Sequence, residues 1–180
     1  GAYGHDDRVC AYAQLMAEMG AKSPAHTTVT VFADKEEVGS DGVTGLHSHF
    51  LVDFIADLAQ AGGKELRHVL RASACLSADV SVAYDPAFPD VTEKHNCAYL
   101  GYGPVLTKYT GGGGKSSTND APAEYVAFVE GLLEANGVTW QTGELGKVDQ
   151  GGGGTVAKYV SHFNVDTVDM GVAVLSMHAP

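Results

Sequence analysis

Runs rich in β-branched residues alternate with stretches of helical periodicity along this chain, and no other feature restricts its fold as tightly. Val9, Tyr12, Ala13, Leu15, Met16 and Met19 recur at helical spacing and predict a helix over residues 7–20, with Asp6 or Asp7 at its N-cap and Gly20 closing it. Residues 27–33, following Ser23-Pro24, predict a buried strand. Leu46, Phe50, Leu51, Phe54, Ile55 and Leu58 predict an amphipathic helix over 45–61, stopped by Gly62-Gly63, with a short helix over 65–71 behind it. The pattern continues with a strand over 74–82, a strand over 104–109 and a helix over 121–136 that has Pro122 in its first turn and Gly137 as C-cap. A strand over 138–142, a helix over 155–163 and an apolar strand region over 165–176 complete it. At 180 residues the chain suffices for one domain with its own core, and the alternation predicts an α/β sandwich around a largely parallel or mixed central sheet.

Eleven basic residues against 22 acidic ones give a net charge of −11, and no cluster of Lys or Arg interrupts that field. Nucleic acid and anionic membranes are repelled by it at long range, so neither is expected as a partner. No apolar run approaches the length of a membrane span. Cys10, Cys75 and Cys97 are odd in number, widely spaced and set among small or apolar residues. They read as buried thiols in a reducing compartment, and a cytoplasmic setting is expected. Glycine is abundant at 23 residues, with much of the excess in the runs 111–114 and 151–154. Gly114-Lys115-Ser116 imitates the end of a phosphate-binding loop, but Tyr109 stands where its first glycine belongs, so the match fails. The first run reads as a mobile loop. The second precedes a helix, so its amides either cradle a substrate backbone or carboxylate or form a plain connection.

Chemistry-bearing side chains collect at the ends of the predicted strands, where open α/β sheets keep their sites. Glu36 and Glu37 follow the apolar run 27–33 and precede Gly39. They are either a charged turn or a divided pair, one carboxylate holding a metal and the other handling a proton. Asp6 either caps the first helix or bridges two cations about 3.5–4 Å apart, with Asp7 and Arg8 orienting it. Asp79 is a lone acid among small residues with no nearby Lys or Arg in sequence, so it is either a structural acid or a ligand. His178 follows an apolar strand and is either hydrogen-bonded in a structural role or a ligand. Oxygen donors with one or two imidazoles suit zinc, with manganese or cobalt as substitutes.

Several of these segments together resemble the M18 family of metallo-aminopeptidases. The matching stretches are Gly4-His5-Asp6-Asp7-Arg8, Asp34-Lys35-Glu36-Glu37-Val38-Gly39-Ser40, Ser77-Ala78-Asp79, Lys94-His95-Asn96, Gly103-Pro104-Val105, Asp149 with the glycine run 151–154 and Thr155, and Leu175-Ser176-Met177-His178. The related M42 aminopeptidases share the Asp-Asp-Arg and Glu-Glu-Val-Gly elements but end in a different His context. The M18 resemblance implies a three-layer zinc-peptidase sandwich holding two zinc ions, with manganese or cobalt as alternatives. It implies Glu36 as the general base, Asp6 as the bridging ligand, Glu37 and His178 on one metal and Asp79 on the other. His95, Lys108 and Gly153 would shape the substrate end. The implied reaction releases N-terminal amino acids from peptides through a water activated by the two ions. The resemblance further implies a single segment, residues 1–180, from the C-terminal part of a catalytic domain. Such a segment would lack the upstream strand and inserted dimerisation domain of a full-length, homo-oligomeric enzyme. The alternative expectation is a catalytically incomplete fragment acting as an assembly or binding module.

Overall fold

A computed structural model describes residues 1–109, 111–113, 116–147 and 149–179. The strands are β1 (Ala74–Ser77), β2 (Ser81–Val82), β3 (Val105–Thr107), β4 (Gln141–Thr142), β5 (Asp166–Gly171) and β6 (Ala173–Val174). The helices are α1 (His5–Gly20), α2 (Phe50–Ala61), α3 (Leu66–Arg71), α4 (Ala123–Ala135) and α5 (Ala157–Ser161). Four strands form one sheet in the order β1-β5-β3-β4, and β2 and β6 form a second, two-stranded one. β1 runs parallel to β5, with Ala74 opposite Asp166 and Ser77 opposite Asp169. β3 is antiparallel to β5 and parallel to β4, so the sheet is mixed as the sequence predicts.

Successive side chains of β5 point to opposite faces. Val168 packs with Leu106, Ala121 and Val129, and Met170 joins Tyr125, Val126, Leu133 and Trp140 around them, which puts α4 on one face. Asp169 faces the other way and accepts the Thr155 hydroxyl at 2.9 and 3.0 Å, two residues before α5 begins. Helices on both faces make three layers. Leu106 and Val168 are 2% and 0% exposed, and each such buried side chain stabilises the fold by about 1.5–3 kcal/mol.

Several predicted elements end where a neighbouring backbone intrudes. The strand expected over 74–82 is broken between β1 and β2 because the chain passes directly over Gly171. A Cβ built there would lie 1.3 Å from the Asp79 carbonyl oxygen. The helix expected from residue 45 begins only at Phe50. Gly45 abuts the Ser40 carbonyl, and the His47 amide donates to that same oxygen at 3.1 Å, so turns precede the helix. The helix expected over 155–163 begins at Ala157, whose amide donates to the Thr155 hydroxyl at 3.3 Å. No helix among the described residues is long and apolar enough to cross a membrane.

The strand expected over 27–33 is a correction. Its backbone is extended, yet none of its amides or carbonyls pairs with another described residue. Val29, Val31 and Phe32 are 39%, 40% and 55% exposed, so the run is not buried. β-Branched residues favour extended backbone, but a strand exists only where a neighbour completes the ladder. A cavity of about 820 Å³ lies between this run and β1, lined also by Leu51 and Ile55 of α2 and by Phe163. The hydroxyls of Thr28 and Thr30 instead donate to the Glu18 carboxylate of α1 at 2.7 and 2.9 Å.

Candidate metal centre

Of the two acids expected at the N-cap, Asp7 makes the capping contact, although the first helical turn starts at His5. Gly4, at φ 61°, takes the capping position, while the Asp7 carboxylate accepts hydrogen bonds from the Cys10 backbone three residues on, as an N-cap does, and from its thiol. Both acids have non-helical backbone inside the first turn and are joined by a cis peptide bond. The Asp6 carboxylate and one Asp7 oxygen remain to serve the site. Below them, Cys10 packs with Val80 and Val174, which fixes the start of α1 against β6.

Glu36 and Glu37 open a single 3₁₀ turn, Glu36–Val38, set between Lys35 at φ 65° and Gly39 at φ 81°. Asp34 stitches this turn together by accepting the Lys35 amide at 2.9 Å and the Thr44 hydroxyl at 2.7 Å. The Thr44 hydroxyl, then Lys35, holds the Asp34 carboxyl below its ordinary value. Asp79 sits in the break between β1 and β2, where one carboxylate oxygen accepts the Val80 amide at 2.7 Å. His178 follows β6, and its Nε2 lies 2.9 Å from Glu37 Oε1 and 3.4 Å from Asp6 Oδ2.

Two groups of ligand-type atoms result. Asp6, Glu37 and His178 each place one such atom within 4.8 Å of the others, and so do Asp6, Asp7 and Asp79. Asp6 belongs to both. Glu36 stands beside them, half-buried, with Glu37 and Asp6 as its strongest charged neighbours. Five side chains picked from distant parts of the sequence thus meet. Asp7, expected only to orient Asp6, joins them as a sixth, and its adjacency to Asp6 was the one available signal.

The residues present fit a divalent cation. Burial raises the carboxyl pKa of Asp6, Asp7 and Glu36, with neighbouring acids adding to each, and pushes Asp79 up to about 7, Asp7 adding most after burial. Carboxylates crowd here with one imidazole among them, an arrangement costly to keep ionised without a positive centre. One Asp7 oxygen is buried with no hydrogen-bond partner. Such an orphan is what a bound cation would satisfy. Oxygen donors with one imidazole suit zinc, as the sequence suggests.

The remaining expected site residues lie outside both groups. His95 is exposed in a turn, Lys108 is exposed just beyond β3 in an ion pair with Asp120, and Gly153 packs near the Leu145 side chain. The two glycine runs touch: a Cβ on Gly152 would lie 2.0 Å from the Gly111 carbonyl. Gly114 and Lys115, part of the first run and of the failed phosphate-loop match, lie outside the described residues. Sequence reasoning missed Gly171, Asp169 and Tyr159, and gave Thr155 no role beyond its place in the resemblance. Glycine in a strand hints at a close backbone approach. Asp169 and Tyr159 carried no local signal.

Comparison with known proteins gives one consistent answer. Residues 1–180 match the family described as Aminopeptidase I zinc metalloprotease (M18). A probable M18 family aminopeptidase 1 of Clostridium acetobutylicum is 50% identical over 99% of this chain and 39% of its own length. The crystal structure of the M18 aminopeptidase from Thermotoga maritima superposes with a TM-score of 0.94 at 47% identity, covering 99% of this chain and 41% of that one. The mApe1 dodecamer of Saccharomyces cerevisiae aligns at a TM-score of 0.76 and 27% identity, covering 98% of this chain and 40% of that one. This chain therefore spans about two fifths of the length of the curated relatives it matches. Match and superposition both run its full length, and on that ground it belongs to the M18 family of zinc metalloproteases.

Proposed function

We propose that this chain is the metal-bearing segment of an aminopeptidase that removes N-terminal amino acids from peptides at a two-zinc site. Asp6 would be the ligand shared by both ions, Glu37 and His178 would complete one set of ligands, and Asp79, beside Asp7, would serve the other. The observation that carries this reading is that Asp6 is common to two ligand groups. When bound, zinc supplies Lewis acidity that polarises the scissile carbonyl and acidifies water.

The chain's own residues do the rest. Glu36 takes a proton from the attacking water and returns it to the leaving nitrogen. Burial, then the charge of Glu37, raises its carboxyl pKa, in the direction that makes it a better base near neutrality. The acidic surround attracts a free, positively charged peptide N-terminus. His95, Lys108 and Gly153 are assigned to the substrate end of the site. The chain acts as part of a longer, homo-oligomeric polypeptide, a reading supported by the dodecameric relative. We place it in the cytoplasm, where the free thiols of Cys10, Cys75 and Cys97 stay reduced.

The test is Glu36→Gln in the longer polypeptide that contains this chain. Turnover of aminoacyl substrates should fall by ~10²–10⁴-fold with zinc content unchanged. Unaltered turnover would remove Glu36 from the mechanism. A second reading, a catalytically incomplete fragment serving as an assembly or binding module, is favoured by the exposure of the expected ligands Glu37 and His178. It requires that the isolated 180-residue chain hold less than one equivalent of zinc.

A further inference from the structure

The turn bearing Glu36 and Glu37 closes on its own backbone but has few side-chain ties to the rest of the chain. Among its residues Lys35, Gly39, Ser40 and Gly42 all have positive φ, at 65°, 81°, 59° and 104°. For Lys35 and Ser40 this is an unfavourable conformation that persists only where surroundings enforce it. Ser40 is buried, and its hydroxyl has no hydrogen-bond partner. Among the described residues, two side-chain hydrogen bonds tie residues 34–47 to the rest of the chain. One is His178 to Glu37 at 2.9 Å, and both of those groups are assigned to zinc. The other comes from Tyr159 of α5, whose hydroxyl donates to the Gly39 carbonyl at 3.0 Å.

Tyr159 engages the same loop a second time. Its ring meets the His47 ring edge-on, with centroids 4.4 Å apart, and His47 Nδ1 lies 2.8 Å from an Asp41 oxygen. Gly39 closes the turn, its amide donating to the Glu36 carbonyl at 3.0 Å. The hydroxyl therefore grips the turn three residues from the base. Tyr159 is anchored in turn: Ala157 and Tyr159 are buried, and α5 is preceded by Thr155, locked onto buried Asp169.

We propose that Tyr159 is a positioning residue for Glu36, the tie that sets the geometry of the Glu36–Glu37 turn independently of bound metal. This rests on the reading of Glu36 as general base, but the tie itself is tested without it. In metal-free protein, Tyr159→Phe should speed amide hydrogen exchange across residues 35–45 by about tenfold, while the amides of β5 and α4 exchange as before. Unchanged exchange over 35–45 overturns the tie. Equal acceleration across β5 and α4 overturns it too, since it would report global loss of stability.

In the zinc-loaded longer polypeptide, Tyr159→Phe should lower kcat about tenfold, with KM and zinc content within twofold of the parent. In the Glu36→Gln background the same substitution should leave the residual rate unaltered, because a residue acting only through Glu36 has nothing left to position. A full tenfold loss in both backgrounds contradicts positioning. If Glu36→Gln proves fully active while exchange over 35–45 still accelerates, the base assignment fails and the tie stands.

Discussion

Gly171 shows how one residue without a side chain sets the candidate centre. The Asp79 carbonyl occupies the place its Cβ would take. Gly171→Ala must therefore push the Asp79 segment away from β5. We expect a loss of at least about 2–3 kcal/mol, in the range of overpacking and backbone displacement, and weaker zinc binding alongside it. Thermal melts with and without zinc check both, and a variant with parental stability and zinc affinity would contradict the crossing. At this scale the sequence was legible where chemistry is concentrated. Asp6, Glu36, Glu37, Asp79 and His178 announced themselves as acids or imidazole at the ends of expected elements, and they do come together. Residues that act through backbone or hydroxyl, such as Gly171 and Tyr159, did not, because a buried tyrosine in a helix is indistinguishable from ordinary packing until its hydroxyl partner, 120 residues away, is seen.

Secondary-structure elements were legible in kind and less so in length. Periodicity located α1, α2, α4 and the strand regions, since an amphipathic helix or an apolar run reports its own burial. Their ends were set by contacts distant in sequence. Thr155 is the clearest case: a helix-compatible residue is held out of α5 by the buried Asp169 carboxylate on β5. Thr155→Val preserves shape while removing that hydroxyl. It should cost about 1–3 kcal/mol, because Asp169 stays buried with one donor fewer. A shifted urea midpoint at constant m-value is the expected observation, and an unmoved midpoint would contradict the coupling. The run 27–33 failed for the opposite reason. Its composition specifies extended backbone correctly, but pairing depends on a neighbour, and composition cannot show whether that neighbour is present.

Taken whole, the molecule carries buried carboxyl groups whose ionisation opposes folding when no metal is bound. Burial puts the folded-state pKa at about 7 for Asp79 and about 6 for Asp169, against roughly 3.9 for an unfolded Asp. Above that unfolded value the unfolded chain releases protons the folded one keeps, so this contribution lowers stability as pH rises. The loss begins near pH ~4 and is complete above ~7. Chelator-treated protein should therefore lose unfolding free energy across that window. Added zinc should restore the share due to Asp79, more at pH ~7.5 than at ~5, and leave that of Asp169, which lies outside both ligand groups. Denaturant titrations at a series of pH values measure this. A zinc response equal at both ends of the window would contradict it.

The most direct test of the account is zinc-edge anomalous scattering from crystals of the longer polypeptide that contains this chain. Two peaks about 3.5–4 Å apart are predicted, both touching the Asp6 carboxylate, one with Glu37 and His178 and the other with Asp79. Zinc found away from Asp6, or a single ion that leaves Asp79 without a metal, would contradict it.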